Sequence, residues 1–258
     1  MKILKYIIIF LSTVNLYSQI STPIEPKLPK KPSEIGLIIG LGANHQLGTS
    51  YVQCPDCEFE NGNKFGYSLG LNYEDYLISE GSLKYGISLF YNSLSLKASY
   101  KEREAFEYEP NRYIGINFRN VSALNSQSIA INPYLKYLFG EVFFIKLSPS
   151  INYILSANIK HEKEILEDAV LLPNGETVSV NFPDTKSNKK TIEDGEYPKL
   201  NKLQFGLSSL LGFDILTSQD IVIAPQFYLY TPFNEFSKYG DNFKISYWRV
   251  FLELRIKI

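Results

Sequence analysis

The residues best spaced for covalent or metal chemistry are Cys54 and Cys57 in "CPDC", the two cysteines of a 258-residue chain. Three readings fit them. A local disulfide would tighten a loop in an oxidising compartment. Half of a zinc knuckle would need two further ligands. A redox pair would call for a thioredoxin-like βαβ setting, which the surrounding sequence does not show. The histidines are His45 and His161, the latter inside the charged run "NIKHEKEILEDAV". Either could serve a lipid-modifying or proteolytic site, yet no serine stands out at nucleophile–base spacing. A surface histidine is the plainer role for both. The expectation is therefore no catalytic residue, no cofactor and no metal site.

A second set is ionic: Lys84, Lys136, Lys146, Asp214, Arg249, Glu253, Arg255 and Lys257. These residues are scattered along the chain but share one parity in segments that alternate with a period of two. In a strand, equal parity means the same face.

Those segments are the elements that must position them. "IGLIIGLGANHQ" places Ile35, Leu37, Ile39, Leu41 and Ala43 opposite Gly36, Gly40, Gly42, Asn44 and Gln46. "KFGYSLGLNYED" and "SLKYGISLFYN" repeat the scheme, as do stretches near 128–139, 142–156, 202–216, 220–231 and 244–258. That makes eight strands, an even number within the range of single-chain outer-membrane barrels. Connections near 79–82, 140–141 and 217–220 are short, whereas those near 48–63, 97–127, 157–201 and 232–243 are long. Alternating short and long connections put all turns at one end of a barrel and all loops at the other. "LLPNGETVSV", with its Asn174-Gly175 turn, and "EYEPNRYIGINF" are expected to extend their loops as hairpins.

Alternation alone also fits a soluble ligand carrier, whose faces are reversed. Residue size separates the two. The polar face is rich in glycine and serine, including Gly40, Gly70, Gly86, Ser68 and Ser148. The interior of an eight-stranded barrel is barely wide enough for side chains, so small residues solve a packing problem there. The ionic set then points inward and is expected to pair across the lumen as a solid plug, because isolated buried charges are too costly. In a soluble barrel the same residues would form a solvated strand face. Against a continuous barrel stand Pro133, Pro149 and Pro225, each inside an expected strand, of outward parity, and lacking a ladder donor. They mark bulges or interruptions.

Bulk properties narrow the partners. The 26 Lys and Arg against 27 Asp and Glu leave a net charge of -1, which gives no basic field for nucleic acid. Nineteen Tyr and seventeen Phe suit strands. "MKILKYIIIFLSTVNLYSQ" has the basic start and apolar run of a secretory leader, with cleavage expected after Ser18. A proline-rich tail over 19–34 precedes a barrel over 35–258.

"IGLIIGLGAN", "INPYLKYLFG", "IAPQFYLYTPF" and the terminal "WRVFLELRIKI" resemble eight-stranded outer-membrane barrels of the PorT-like family, similar in architecture to the OmpA transmembrane domain. The resemblance implies an all-β, antiparallel, up-and-down transmembrane β-barrel in the cell outer membrane of a Gram-negative envelope. It also implies outer-membrane lipid as surroundings and insertion by a barrel-assembly machinery that reads the last strand. The expected role is non-enzymatic and non-conducting, with long loops for surface contacts or an accessory role in envelope assembly or secretion. The alternatives are an outer-membrane enzyme acting on lipid or peptide, and a soluble exported barrel carrying an apolar ligand.

Overall fold

The computed structural model describes residues 31–52, 57–77, 81–109, 112–140, 142–172, 175–182, 184–217 and 220–258. The expected leader, nearly all of the tail, Cys54 and Asn174 lie outside these residues. From Pro32 to Ile258 the chain forms one unit.

Eight strands make the wall: β1 Glu34–Tyr51, β2 Asn63–Tyr76, β3 Leu83–Ser93, β4 Arg112–Phe139, β5 Phe143–Ile165, β6 Leu203–Phe213, β7 Ile221–Pro232 and β8 Gly240–Lys257. Each pairs antiparallel with its neighbours in chain order, and β8 pairs with β1, so the sheet closes on itself. The register gives the stagger. Glu34 faces Glu74, which faces Gly86, which faces Tyr134. Carried on in register through Ser148, Ser208, Tyr230 and Tyr247, the circuit returns to β1 at Asn44, ten residues above its start. A shear of this size obliges the strands to tilt by roughly 35–45° and holds the interior to side-chain width.

Two sequence expectations change at the loop end. The connection expected over 97–127 is not a loop. The strand Leu96–Glu109 pairs with β4 from Leu124 to Arg112 in the register that β3 uses lower down, so one hairpin runs from the short turn far past the lipid. β5 likewise continues upward and takes Lys189–Glu196 as its partner. Its phase is set by a bulge, since Gln127 faces Ser156 but Ser128 faces Ile154. Above the bulge, Ala157, Ile159 and His161 turn inward. The strands Ala169–Leu171 and Thr177–Ser179 form the expected small hairpin, and Gly175 takes φ +84° in its turn.

A second hydrophobic core, Ile116, Phe118, Ile165, Val180 and Phe182, consolidates this upper sheet. The strand boundary also moves by one residue, because Glu34, assigned to the tail, is the first residue of β1 and is buried.

Candidate functional site

At the turn end of the lumen, four cations and four carboxylates converge from six strands and the β6–β7 turn. Lys84 Nζ lies 2.8 Å from Glu34 and 2.9 Å from Glu74. Lys136 Nζ lies 3.0 Å from Glu74 and 2.7 Å from Asp214. Lys146 Nζ lies 3.3 Å from Glu253 and 3.6 Å from Glu74. Arg255 donates to Glu34 at 2.9 Å and also bonds Glu74 and Asp214. Glu74 is the hub, touching all four cations and accepting a further bond from Tyr134 Oη at 2.9 Å. Glu74 and Arg255 are both 0 % exposed. Formal charges cancel, and each ion has hydrogen bonds as well as Coulomb partners, the condition under which buried ions are tolerated.

Arg249 and Lys257, expected in the same network, are placed otherwise. Arg249 is buried, but its partners are Asn44, Ser68 and the carbonyls of Ala43, Trp248 and Ser93. Six residues separate it from Arg255, a rise of about 20 Å, which takes it out of reach of the carboxylates at the turn end. Lys257 is half-buried at the strand's end, where its backbone N–H donates to Asp220 O at 2.9 Å. Glu34 and Glu74, half of the anionic charge, were not among the expected residues. Parity could have found Glu74, which continues the series Gly66, Ser68, Gly70, Asn72.

Above the ions the lumen is aromatic. Phe90 and Phe251 stack at 5.3 Å, Tyr228 packs on Phe251 at 5.1 Å, and Tyr230 stacks on Tyr247 at 4.8 Å. Glycine makes room for these rings, since a Cβ on Gly40 would collide with the Phe251 ring and one on Gly86 with Tyr134. Higher still, Val52, Phe59, Leu96, Leu124, Phe236 and Phe243 join the same buried cluster. Buried side chains fill the interior from the turns to the loops apart from a small cavity beside Lys146 and Asn132.

The exterior has the opposite polarity. Leu37 and Leu71 are 56 % exposed, and Leu69, Leu135, Leu147, Leu252 and Leu254 are likewise on the outside. A belt of large apolar side chains around a core of paired ions cannot be a water-facing surface. This chain is an outer-membrane β-barrel.

Aromatic side chains rim the belt, as interfaces favour. At the turn end Tyr137, Phe139, Phe143 and Phe213 form a chain with ring separations of 4.7, 5.5 and 5.5 Å. Toward the loop end Tyr67 meets Tyr91 at 6.3 Å, and Trp248 donates from Nε1 to His45 Nε2 at 3.1 Å. His45 is thus a girdle residue of the barrel.

His161 lies in the extracellular part of β5, six residues above Leu155. It is buried, edge-on to Phe59 at 5.4 Å, with Nε2 3.1 Å from Asn120 Oδ1 and no protein partner at Nδ1. Asn120 in turn bonds Glu102, and Lys163 holds Glu104 at 2.5 Å. Burial, reinforced by the nearby Lys163 charge, pushes the His161 imidazole down to about 4. His161 is therefore buried, contrary to the expected surface position, whereas His45 is exposed on the outer face. Cys57 is disulfide-bonded. Among the described residues no cluster of His, Cys, Asp and Glu could hold a metal ion.

No family model and no curated protein matches this chain. Among solved structures it is similar to Ail, the attachment invasion locus protein of Yersinia pestis, at 12% identity over 87% of this chain and 99% of that one, TM-score 0.34. It is similar to Neisserial surface protein A at 9% identity over 86% and 97%, TM-score 0.32. It is also similar to the outer membrane protease OmpT of Escherichia coli at 8% identity over 92% and 100%, TM-score 0.30. Scores of this size add nothing to the fold that the strand pairing establishes.

Proposed function

We propose that this barrel is a non-enzymatic, non-conducting membrane mount that holds a rigid β-sheet at the cell surface for contact with another envelope or surface protein. The observation that carries this reading is the continuity of the wall. β4 runs 28 residues, whereas ~9–11 suffice to cross the bilayer, so its upper half, with Leu96–Glu109, upper β5 and Lys189–Glu196, forms a sheet outside the lipid. That sheet has its own core and is braced by the same strands that cross the membrane. The plugged lumen supports the absence of conduction. Outer-membrane lipid surrounds the belt, the barrel-assembly machinery inserts the chain, and nucleic acid is not a partner. The PorT-like resemblance makes an accessory role in envelope assembly or secretion the preferred context.

Replacing residues 98–122 by a two-residue turn tests the proposal. Photo-crosslinking from Lys101 in intact cells should capture a protein partner in the full chain, and the shortened chain should keep its heat-modifiable gel migration while losing the envelope or secretion phenotype of the wild type. Crosslinks equally sparse at Lys101 and at lipid-facing Leu69 would overturn the surface-contact role. Steady single-channel currents in planar bilayers would overturn the non-conducting one.

A further inference from the structure

The wall is not hydrogen-bonded uniformly around its girth. Between β4 and β5 the pairing runs to Ile131–Ile151 and resumes at Leu135–Leu147. In the interval Pro133 and Pro149 stand opposite one another, and neither has an N–H to donate across the seam. The Ser148 hydroxyl lies 2.6 Å from Pro133 O and 2.8 Å from Pro149 O, serving carbonyls the ladder would otherwise serve.

A groove of about 580 Å³ opens on the outer surface over this interruption, walled by Leu83, Tyr85, Leu135, Leu147 and Leu207 with the two prolines. Its floor is unusual. Tyr134 and Ser148, both lumen-facing residues, line the groove from beneath and also line a small cavity inside the barrel, together with Lys146, Asn132 and Ser88. Gly86 contributes no side chain there, so Tyr134 and Ser148 stand between the hydrocarbon and the polar interior. A similar hollow under Pro225, bounded by Ile39, Leu41, Leu69 and Leu252, lies over an unbroken ladder.

We propose that the Pro133–Pro149 seam is a phospholipid site: one acyl chain of a periplasmic-leaflet phospholipid lies in the groove and covers the interrupted wall. The groove is continuous with the lipid-facing belt and falls in its turn-end half, so hydrocarbon is what meets it. Its volume is in the ~300–1,000 Å³ range of small-ligand sites. Because lipid offers no hydrophobic gain over lipid, retention rests on close packing against a concave wall. Tyr85 and Tyr137 also line the groove, and their hydroxyls offer donors to the ester end.

The test is photolabelling of the full-length protein in nanodiscs of phosphatidylethanolamine and phosphatidylglycerol doped with a phospholipid carrying a diazirine in its acyl chain. Adducts mapped by mass spectrometry should be enriched several-fold on 133–137, 145–149 and Leu207 over the Pro225 hollow and over flat wall at Leu71 and Leu89. Leu147→Trp, which fills the groove from outside, should abolish the enrichment, as should Pro149→Val, which restores a ladder donor; heat-modifiable migration selects whichever variant folds. Even labelling around the belt, or enrichment that survives in a folded variant, would overturn the proposal.

Discussion

The two ends of the lumen solve one packing problem with opposite chemistry. The periplasmic end is filled by eight ions tied through Glu74, and the extracellular end by rings and aliphatic chains that run on into the loops. Ion pairs are directional and fix the relative heights of the strands they join, but they stabilise only as a complete set. Apolar packing tolerates partial substitution and can extend over any surface that offers more of it. The ionic end therefore defines the register of the barrel, and the apolar end is where the barrel merges with its surface sheet.

The sharpest way to break this contrast is to remove one ion. Glu74→Gln leaves Lys84, Lys136, Lys146 and Arg255 facing three carboxylates, and should destabilise the barrel by about 3–5 kcal/mol. This is measured as a lower midpoint in urea by heat-modifiable migration. Adding Lys136→Met should recover part of the loss, because the charges balance again. Phe251→Ala at the other end should cost a comparable ~3–5 kcal/mol through an unfilled cavity beside Phe90, with no charge partner able to rescue it. Neither single change should open conductance, since the other layer still seals the lumen; combining them is the variant to examine in planar bilayers.

How far this contrast was legible in the sequence depends on which side of the lipid surface a residue lies. Inside the membrane the outward positions are apolar, so Ile129, Ile131 and Leu135 announced β4. Above it the phase inverts: the inward residues Ile116, Phe118 and Leu124 are the apolar ones and the outward ones meet water. The alternation persists but its sense flips, and the flip looks like the end of a strand. That is why 97–127 was expected to be a loop. The bulge at Ser156 erased the same signal in β5 by shifting parity. Parity assigned Lys84, Lys136, Lys146, Asp214, Glu253 and Arg255 to one face because strand geometry alone decides that. Glu34 was hidden by its proline-rich neighbourhood, whereas Glu74 sits inside "KFGYSLGLNYED" on the parity of Gly70 and Asn72, where the sequence already pointed inward.

A pH titration sharpens the comparison at the loop end. His161 is neutral in the fold and takes up its proton only near pH 4, against 6.5 when exposed. A depressed pKa contributes stability that is complete above about 6.5 and is lost as the pH falls toward 4. Hydrogen exchange in Leu96–Glu109 and Lys189–Glu196 should accelerate over that window, and His161→Gln should flatten the dependence. The turn-end half of β2 and β8 should not respond.

The smallest effect is expected where ions meet water. Lys160 and Glu162 lie 2.7 Å apart on the outer face of β5, both substantially exposed. Their separation matches that of Lys136 and Asp214 in the lumen, yet solvent screens the outer pair and two free side chains must be ordered to form it. Exposed pairs of this kind contribute little. Glu162→Gln should therefore shift the urea midpoint by no more than about one third of the Glu74→Gln effect, and added salt should erase the difference. A larger loss at Glu162 would mean that the surface sheet, rather than the buried ions, sets the stability of the whole chain.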